Sequence, residues 1–256
     1  MPYKNRVLVN SLPKGGPHLL KNIIEAFGYE AYSGKSSPNA FNYKEVKKAL
    51  KIFSKSNGEK IALTPFSPWY VDEATVRHWL DVVLWGQYIP GHVPWCAELS
   101  SVLTDLDYRH ILIIRDPRLL ISDLIFGGSI MPRFLTDDFE QLSLKKRLGF
   151  MLDGGNVPKT GIELNDFATV YRSMLAWSND PNCLLVRFED VSVKDIASYL
   201  DVPVNDDAFT EFEKNDVFNE WMDTVDTASL ARITAYCEQL CHEAGYEADE
   251  SWMRSE

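Results

Sequence analysis

The sequence has no apolar run that approaches the roughly 20 residues needed to cross a bilayer, so we expect no membrane-spanning helix. It also has no internal repeat and no low-complexity tract. No signal peptide is evident before the first apolar segment at Arg6, and we therefore expect a cytoplasmic protein. Its 256 residues, 45% of them hydrophobic, are enough for one large α/β domain over residues 1–256.

Cysteine is scarce. The four cysteines, Cys96, Cys183, Cys237 and Cys241, form no recognisable disulfide framework. Cys237 and Cys241 lie four apart on a predicted helix beside His242, a pattern that can bind a metal. Structural zinc normally needs four convergent ligands, so we favour a packed helix face and expect no metal.

Basic residues are too few for a nucleic-acid partner. The chain has 26 Lys and Arg against 37 Asp and Glu, and its formal net charge is −11. Nucleic acids are bound by basic surfaces that neutralise phosphates. We therefore expect no nucleic-acid partner, and the cations needed for a smaller anion must be concentrated locally.

A candidate anion site lies near the start of the chain. A predicted strand, Arg6–Leu12, runs into the turn Pro13–Gly16 and then into a predicted helix, His18–Phe27. Gly15 and Gly16 allow backbone N–H groups to approach a phosphate, the helix N-terminus adds a positive dipole, and Lys14 adds a full charge. The alternative is an ordinary glycine-rich turn before a helix, which is common.

The turn lacks the ending of a Walker A loop. Lys14 precedes both glycines and no Ser or Thr follows, so the hydroxyl that binds the magnesium of a nucleoside triphosphate is missing. This disfavours a P-loop kinase or NTPase. A Lys ahead of small residues at the head of a helix instead resembles the 5′-phosphosulfate loop of sulfotransferases that use 3′-phosphoadenosine 5′-phosphosulfate (PAPS). The resemblance implies cofactor contacts from Lys14, Gly15, Gly16, Pro17, His18 and Leu19.

A second motif follows the predicted buried strand His110–Ile114. The sequence Arg-Asp-Pro-Arg at residues 115–118, followed by Ser122, resembles the family's 3′-phosphate motif, in which an Arg and a later Ser bind the phosphate that distinguishes PAPS from ATP. The resemblance assigns this role to Arg115 and Ser122. By residue count Asp123 falls at the nominal serine position, where a carboxylate repels phosphate, and we favour a small shift in the turn that restores Ser122 as the ligand. The alternative is a surface turn with a local ion pair.

Three further segments match the same family in the same order along the chain. Ile89–Pro94 resembles the Gly-His-x-Pro segment that carries the family's catalytic base, here His92. Leu184–Val191 resembles a strand ending in Tyr-Glu-Asp-Leu. Phe212–Trp221 resembles the C-terminal cofactor-binding segment, with Lys214 at the position of its Arg. The five segments cover nearly the whole chain, and this order carries the resemblance to the PAPS-dependent sulfotransferases.

The chain departs from the family pattern at several of these positions. Pro17 and His18 replace Thr residues, Phe188 replaces the Tyr, and Asn215 replaces a Lys. Each lost neutral hydrogen bond costs about 0.5–1.5 kcal/mol, which weakens cofactor binding without abolishing it. A nucleotide-binding module without catalytic activity is therefore a further alternative.

The resemblance implies a fold and an activity. The fold is a single α/β domain with a parallel β-sheet flanked by helices and a P-loop-like nucleotide-binding architecture. The activity is in-line transfer of the sulfuryl group of PAPS to a hydroxyl or amine of a small-molecule acceptor, without a metal, releasing 3′-phosphoadenosine 5′-phosphate (PAP). Lys14 would stabilise the leaving oxygen and His92 would act as general base. The net charge of −11 slightly favours a neutral or cationic acceptor over a polyanionic one.

Two segments are candidates for acceptor binding. The first is rich in aromatic residues, which form either an acceptor pocket or an aromatic core: Trp69, Tyr70, Trp79, Trp85, Tyr88 and Trp95. The second, Gly149–Gly161, has five glycines or prolines and is a candidate lid. Further predicted elements are helices at Tyr43–Ser54, Asn165–Trp177 and Thr227–Ala244 and strands at Lys60–Thr64 and Leu184–Phe188.

Overall fold

The structure, a computed structural model, describes residues 5–33, 60–68, 70–126, 142–156, 163–204, 225–248 and 252. The strands are β1 (Arg6–Ser11), β2 (Glu30–Ala31), β3 (Lys60–Ala62), β4 (Tyr70–Asp72), β5 (Gln87–Gly91), β6 (Tyr108–Ile114), β7 (Gly155–Asn156), β8 (Glu163–Leu164) and β9 (Cys183–Arg187). The helices are α1 (Pro17–Ala26), α2 (Glu73–Asp81), α3 (Ala97–Asp105), α4 (Pro117–Phe126), α5 (Leu144–Asp153), α6 (Phe167–Leu175), α7 (Val193–Leu200) and α8 (Thr227–Ala244), with a 3₁₀ turn at Ala176–Asn179.

A parallel sheet of five strands organises the fold, in the order β2-β5-β1-β6-β9. β1 is central: its Leu8 lies opposite Ile89 of β5 on one side and His110 of β6 on the other. β3 with β4 and β7 with β8 form separate antiparallel pairs. The predicted parallel sheet with flanking helices is confirmed.

The strands of the sheet are apolar along most of their length. Such strands are typical of parallel sheets that are covered by helices on both faces. Alternate residues of β1, Val7 and Val9, join one hydrophobic core with Ile111 and Ile113 of β6. The apolar stripe of α1 packs into the same core through Leu20, Ile23 and Ile24, and α7 contributes Ile196, Ala197 and Leu200. The sheet and these two helices therefore form one hydrophobic core.

The described residues form two compact units. One contains those up to Ile114 and those from Ser173 to residue 204; the other contains the remainder. In the second unit α4 packs against α5 and α8, and Cys237 and Cys241 of α8 are buried, as the predicted packed helix face requires. A single domain over residues 1–256 stays a prediction.

Element boundaries agree with the sequence where hydrophobic periodicity and end signals coincide. α8 has the predicted bounds, with Asp226 accepting from the Ser229 N–H at its start and Gly245 in a left-handed conformation at its end. The candidate lid is partly regular: it is helical to Asp153, and Gly155–Asn156 pairs with Glu163–Leu164. The predicted helix Tyr43–Ser54 lies outside the described residues. No described helix is long and apolar enough to span a membrane.

One buried histidine in β6 makes the fold sensitive to acid. His110 is 1% exposed, and its ring lies edge-on to Trp177 with 4.2 Å between centroids. Burial lowers the pKa of His110 to about 3, although Asp180 opposes the shift. Between about pH 6.5, the ordinary value, and pH 3 the unfolded chain therefore binds a proton that the folded chain does not.

We expect acidification from pH 7 to pH 5 to lower the free energy of unfolding by about 2 kcal/mol through His110 alone. His110→Phe keeps an aromatic ring beside Trp177 and removes this contribution, so the variant should lose less stability over that range. Urea unfolding at both pH values measures the difference. His78→Phe, at an exposed histidine of α2, is the control, and equal losses in both variants would contradict the assignment.

Candidate functional site

The predicted motifs follow the carboxyl ends of neighbouring strands. β5, β1, β6 and β9 are adjacent and parallel, and the chain continues from them into His92, Leu12, Arg115 and Phe188. Strand order changes direction at β1, and open α/β sheets bind ligands at the carboxyl edge at such a switch point. The topology therefore supports a ligand site at the loop after β1.

The loop after β1 begins with a tight turn. The carbonyl of Leu12 accepts a hydrogen bond from the N–H of Gly15 at 2.9 Å, with Pro13 at the second position of the turn, where its fixed φ is favourable. Lys14 occupies the third position at φ 65, a left-handed conformation that costs a non-glycine residue about 1–3 kcal/mol. Its side chain is exposed. The turn thus holds an exposed cation directly before α1.

The glycines of this loop are required by its close packing. A Cβ on Gly16, whose φ is 101, would lie 2.6 Å from Cδ2 of Phe188 and 3.0 Å from Cδ1 of Ile113. A Cβ on Gly15 would lie 3.0 Å from the carbonyl oxygen of Leu12. Phe188, the residue at the family's tyrosine position, therefore packs against the loop backbone, and no larger residue fits at position 16.

The N-terminus of α1 presents donors that an anion can use. Gly16 is its N-cap and Pro17 its first residue, and no side chain of the described residues caps it. The first intrahelical bond runs from the N–H of Leu20 to the Gly16 carbonyl at 3.2 Å, so the N–H groups of His18 and Leu19 have no intrahelical acceptor. The His18 side chain is exposed. This arrangement of donors is suited to a phosphate.

His92 lies next to the end of β1. Its Nδ1 is 2.6 Å from the carbonyl oxygen of Ser11. A carbonyl can only accept, so Nδ1 carries the proton and Nε2 of the neutral ring carries a lone pair. Burial lowers the pKa of His92, while the hydrogen bond to Ser11 opposes the shift. At neutral pH the ring is therefore uncharged, with Nε2 able to accept a proton.

Asn10 is a functional candidate that the sequence motifs did not reveal. It is 0% exposed; its Oδ1 accepts from the N–H of Val93 at 3.0 Å and its Nδ2 donates to the Val93 carbonyl at 2.9 Å. Trp177 donates to the same carbonyl at 2.9 Å. These bonds fix the backbone directly after His92. The sequence feature that could have identified Asn10 is its position as a polar residue at the end of an apolar run in β1.

Arg115 forms a buried ion pair. Its Nη1 lies 2.9 Å from Oδ2 of Asp123 in α4, and the two side chains are only 4% and 14% exposed. Its carbonyl accepts a hydrogen bond from the hydroxyl of Tyr171 at 2.9 Å. Ser122 is 0% exposed, and its hydroxyl has no hydrogen-bond partner among the described residues. Asp123 therefore contacts Arg115, and phosphate binding by Ser122 stays a prediction.

The neighbouring Arg118 has a structural role. Its Nη2 lies 2.7 Å from Oδ2 of Asp116 and donates to the carbonyl of Glu247 at 2.8 Å. Its guanidinium also lies 5.7 Å from the ring centre of Trp252. A local ion pair in Arg-Asp-Pro-Arg is therefore present, but it is buried and holds the chain after α8. Arg115, by contrast, pairs with Asp123 of α4.

The remaining predicted site residues differ in burial, and some of them lie outside the described residues. Trp79 and Tyr88 are core residues, and Trp85 lies beside Arg6 at the amino end of β1. Trp95, three residues after His92, is 42% exposed. Lys214, Asn215, the rest of Phe212–Trp221 and also Trp69 lie outside the described residues. Within the described ranges no cluster of His, Cys, Asp or Glu is arranged to hold a metal ion.

We expect Gly16→Ala to lower the free energy of unfolding by about 1–3 kcal/mol, because the new methyl group clashes with Phe188 and Ile113 in a left-handed backbone. Gly155→Ala is the control, since its φ is 115 but no described atom lies within 4 Å of the added Cβ. Denaturant unfolding measures the stability of both variants. Gly155→Ala reports the cost of backbone strain alone, whereas Gly16→Ala reports strain and steric clash together. A loss at Gly16 no larger than at Gly155 would refute the close packing.

Comparisons with known proteins identify the fold. No family model and no curated protein sequence matches the chain. Retinol dehydratase in complex with androsterone and PAP matches 92% of this chain and 80% of its own at 13% identity and a TM-score of 0.50. Mouse sulfotransferase SULT7A1 with PAP matches at 17% identity and a TM-score of 0.49, and this chain spans only 62% of its length. The chain has the P-loop-like α/β fold of the PAPS-dependent sulfotransferases.

Proposed function

We propose that the chain transfers a sulfuryl group from PAPS to a hydroxyl or amine of a small-molecule acceptor. One observation carries this proposal. The Nδ1 of a neutral His92 lies 2.6 Å from the carbonyl oxygen of Ser11, and Ser11 is the last residue of β1 before the glycine loop and the uncapped start of α1. A proton acceptor and an anion cradle thus follow adjacent strands. The PAP in the retinol dehydratase structure supports the same choice of nucleotide.

The glycine loop has the donors and the charge to bind the 5′-phosphate of PAPS, and Arg115 has the charge to bind a 3′-phosphate. The 5′-phosphate side would be bound by Lys14 and by the N–H groups of Gly16, His18 and Leu19, while the N–H of Gly15 closes the turn on the Leu12 carbonyl. Glycine at position 16 is required by packing against Phe188 and Ile113, and glycine at both positions leaves the loop backbone without side chains that would cover it. Arg115 would bind the 3′-phosphate, and Pro17 needs no N–H at the first helical position.

The proposed chemistry requires one proton transfer and stabilisation of one developing charge. PAPS, when bound, supplies the activated sulfonate. An acceptor oxygen or nitrogen forms a bond to sulfur while the sulfur–oxygen bond to the 5′-phosphate breaks. Nε2 of His92 takes the acceptor proton, and a general base of this kind contributes about 10²–10⁴-fold. Lys14 and the loop N–H groups stabilise the negative charge on the departing phosphate oxygen.

The acceptor is proposed to be a small neutral or cationic molecule. The net charge of −11 disfavours a polyanion. Trp95 offers an exposed aromatic surface three residues after the proposed base, and amphipathic aromatic side chains are typical of small-molecule sites.

Calorimetry with PAP, AMP and magnesium-ATP tests the nucleotide site. We expect micromolar binding of PAP and no preference for magnesium-ATP. Lys14→Ala should weaken both PAP and AMP by about tenfold or more, because a charge-assisted hydrogen bond is lost. Lys21→Ala, at an exposed lysine of α1, should bind like the unchanged protein. Preferential binding of magnesium-ATP would favour a kinase or NTPase instead.

His92→Ala should lower turnover by about 10²–10⁴-fold and change PAP affinity little. Release of PAP from PAPS in the presence of pooled alcohols, phenols and amines measures turnover. His78→Ala, at an exposed histidine of α2, is the control. If the unchanged protein binds PAP but releases none from PAPS, the result would favour a nucleotide-binding module without catalysis.

The pH dependence of that rate gives an independent test of the base. Because burial lowers the pKa of His92, the neutral ring persists at about pH 6.5, the ordinary value for histidine. The rate should therefore hold down to that pH and fall only in more acidic buffer. If the rate already falls as the pH is lowered from about 8 to about 7, the group that titrates has a pKa above the ordinary value for histidine. That result would contradict His92 as the base.

A further inference from the structure

The ion pair between Arg115 and Asp123 bears on nucleotide selectivity. The 2.9 Å contact joins the arginine proposed to bind the 3′-phosphate to a carboxylate seven residues into α4. Both side chains are nearly excluded from water, where charges are poorly screened. A phosphate that approaches Arg115 therefore meets a guanidinium that is already neutralised and a carboxylate of its own sign.

The geometry of α4 keeps Asp123 at this position. Successive helical residues are separated by about 100° around the axis, so Ser122 and Asp123 cannot both face Arg115. Turning Ser122 toward the arginine would rotate the buried side chains of Leu120, Ile121 and Leu124 out of the core. Such a rotation would expose several large apolar side chains to water. The helix register that packs α4 therefore selects Asp123.

The backbone of Arg115 is held as well. The hydroxyl of Tyr171 donates to its carbonyl at 2.9 Å in a buried position. The first turn of α4 starts from the next residue, with the N–H of Leu120 bonded to the carbonyl of Asp116 at 2.9 Å. Arg115 consequently has a fixed starting point, and its long side chain is the part that can exchange one anionic partner for another.

We propose that Asp123 is a specificity-determining residue that competes with the 3′-phosphate for Arg115. The inference rests on the proposed function and refines it. Recognition is a difference between affinities, and a like charge placed beside a ligand group lowers the affinity for that group. The 3′-phosphate therefore adds little to nucleotide affinity, and PAP is released more readily than it would be from a site with a neutral residue at position 123.

The test compares PAP with AMP, which lacks the 3′-phosphate, in the full-length protein. The measured quantity is the ratio of the Kd for AMP to the Kd for PAP, obtained by calorimetry. Asp123→Asn should raise this ratio by about tenfold or more, because Arg115 is released for a charge-assisted bond to phosphate. The Kd for AMP itself should change by less than about threefold, well under the effect of one such bond.

Two control variants isolate the charge at position 123. Asp123→Glu keeps the carboxylate and should keep the low ratio. Asp81→Asn removes an acidic residue beside Arg6, at the amino end of β1, and should leave the ratio unchanged. An equal rise in Asp81→Asn would assign the effect to net charge and would overturn the proposal.

Loss of the ion pair can destabilise the chain, so a thermal measurement accompanies the calorimetry. A ligand raises Tm according to its concentration relative to Kd. PAP should therefore raise the Tm of Asp123→Asn, or of Asp123→Ser, by more than it raises that of the unchanged protein, while AMP should not. An unchanged ratio and equal Tm shifts overturn this inference alone. No binding of PAP or AMP by any of these proteins overturns the proposed function and this inference with it.

Discussion

The parallel pairing of β1 with both β5 and β6 is the constraint on which the candidate site depends. Because the three strands run in the same direction, the residues that leave their carboxyl ends are separated in sequence but follow neighbouring positions in the sheet. The turn at Lys14, the ring of His92 and the start of the Arg115 motif all originate there. The hydrophobic pattern that buries the sheet is thus also what assembles the chemistry at its edge.

Buried polar contacts then determine how each functional group is presented. The Ser11 carbonyl sets the tautomer of His92, and Asn10 with Trp177 satisfies the backbone of Val93. Polar groups in a low-dielectric interior are costly unless they are paired, so these bonds hold one arrangement rather than several. His92 is consequently positioned by the same interactions that make the polar end of β1 compatible with burial.

The two arginines of the Arg-Asp-Pro-Arg motif make different contacts. Arg118 is tied to Asp116 and to the Glu247 carbonyl, a set of contacts that stabilises the second compact unit. Arg115 instead pairs with Asp123 of α4. Charge in this motif is therefore balanced locally, and the overall charge of −11 says little about the potential that a nucleotide meets.

By itself the sequence determined the alternation of strands and helices, the bounds of α8, and the glycine loop with its lysine, because these depend on local periodicity, end signals and backbone freedom. It also determined the order of motifs that resembles the sulfotransferases, whose fold the structure has. Only the tertiary structure decided that Asn10 holds the Val93 backbone, that Nε2 of His92 carries the lone pair, and that Asp123 rather than Ser122 meets Arg115. The physical reason is that these contacts join residues far apart in sequence or depend on the rotation of a packed helix, and neither strand pairing nor helix register is encoded by any short segment alone.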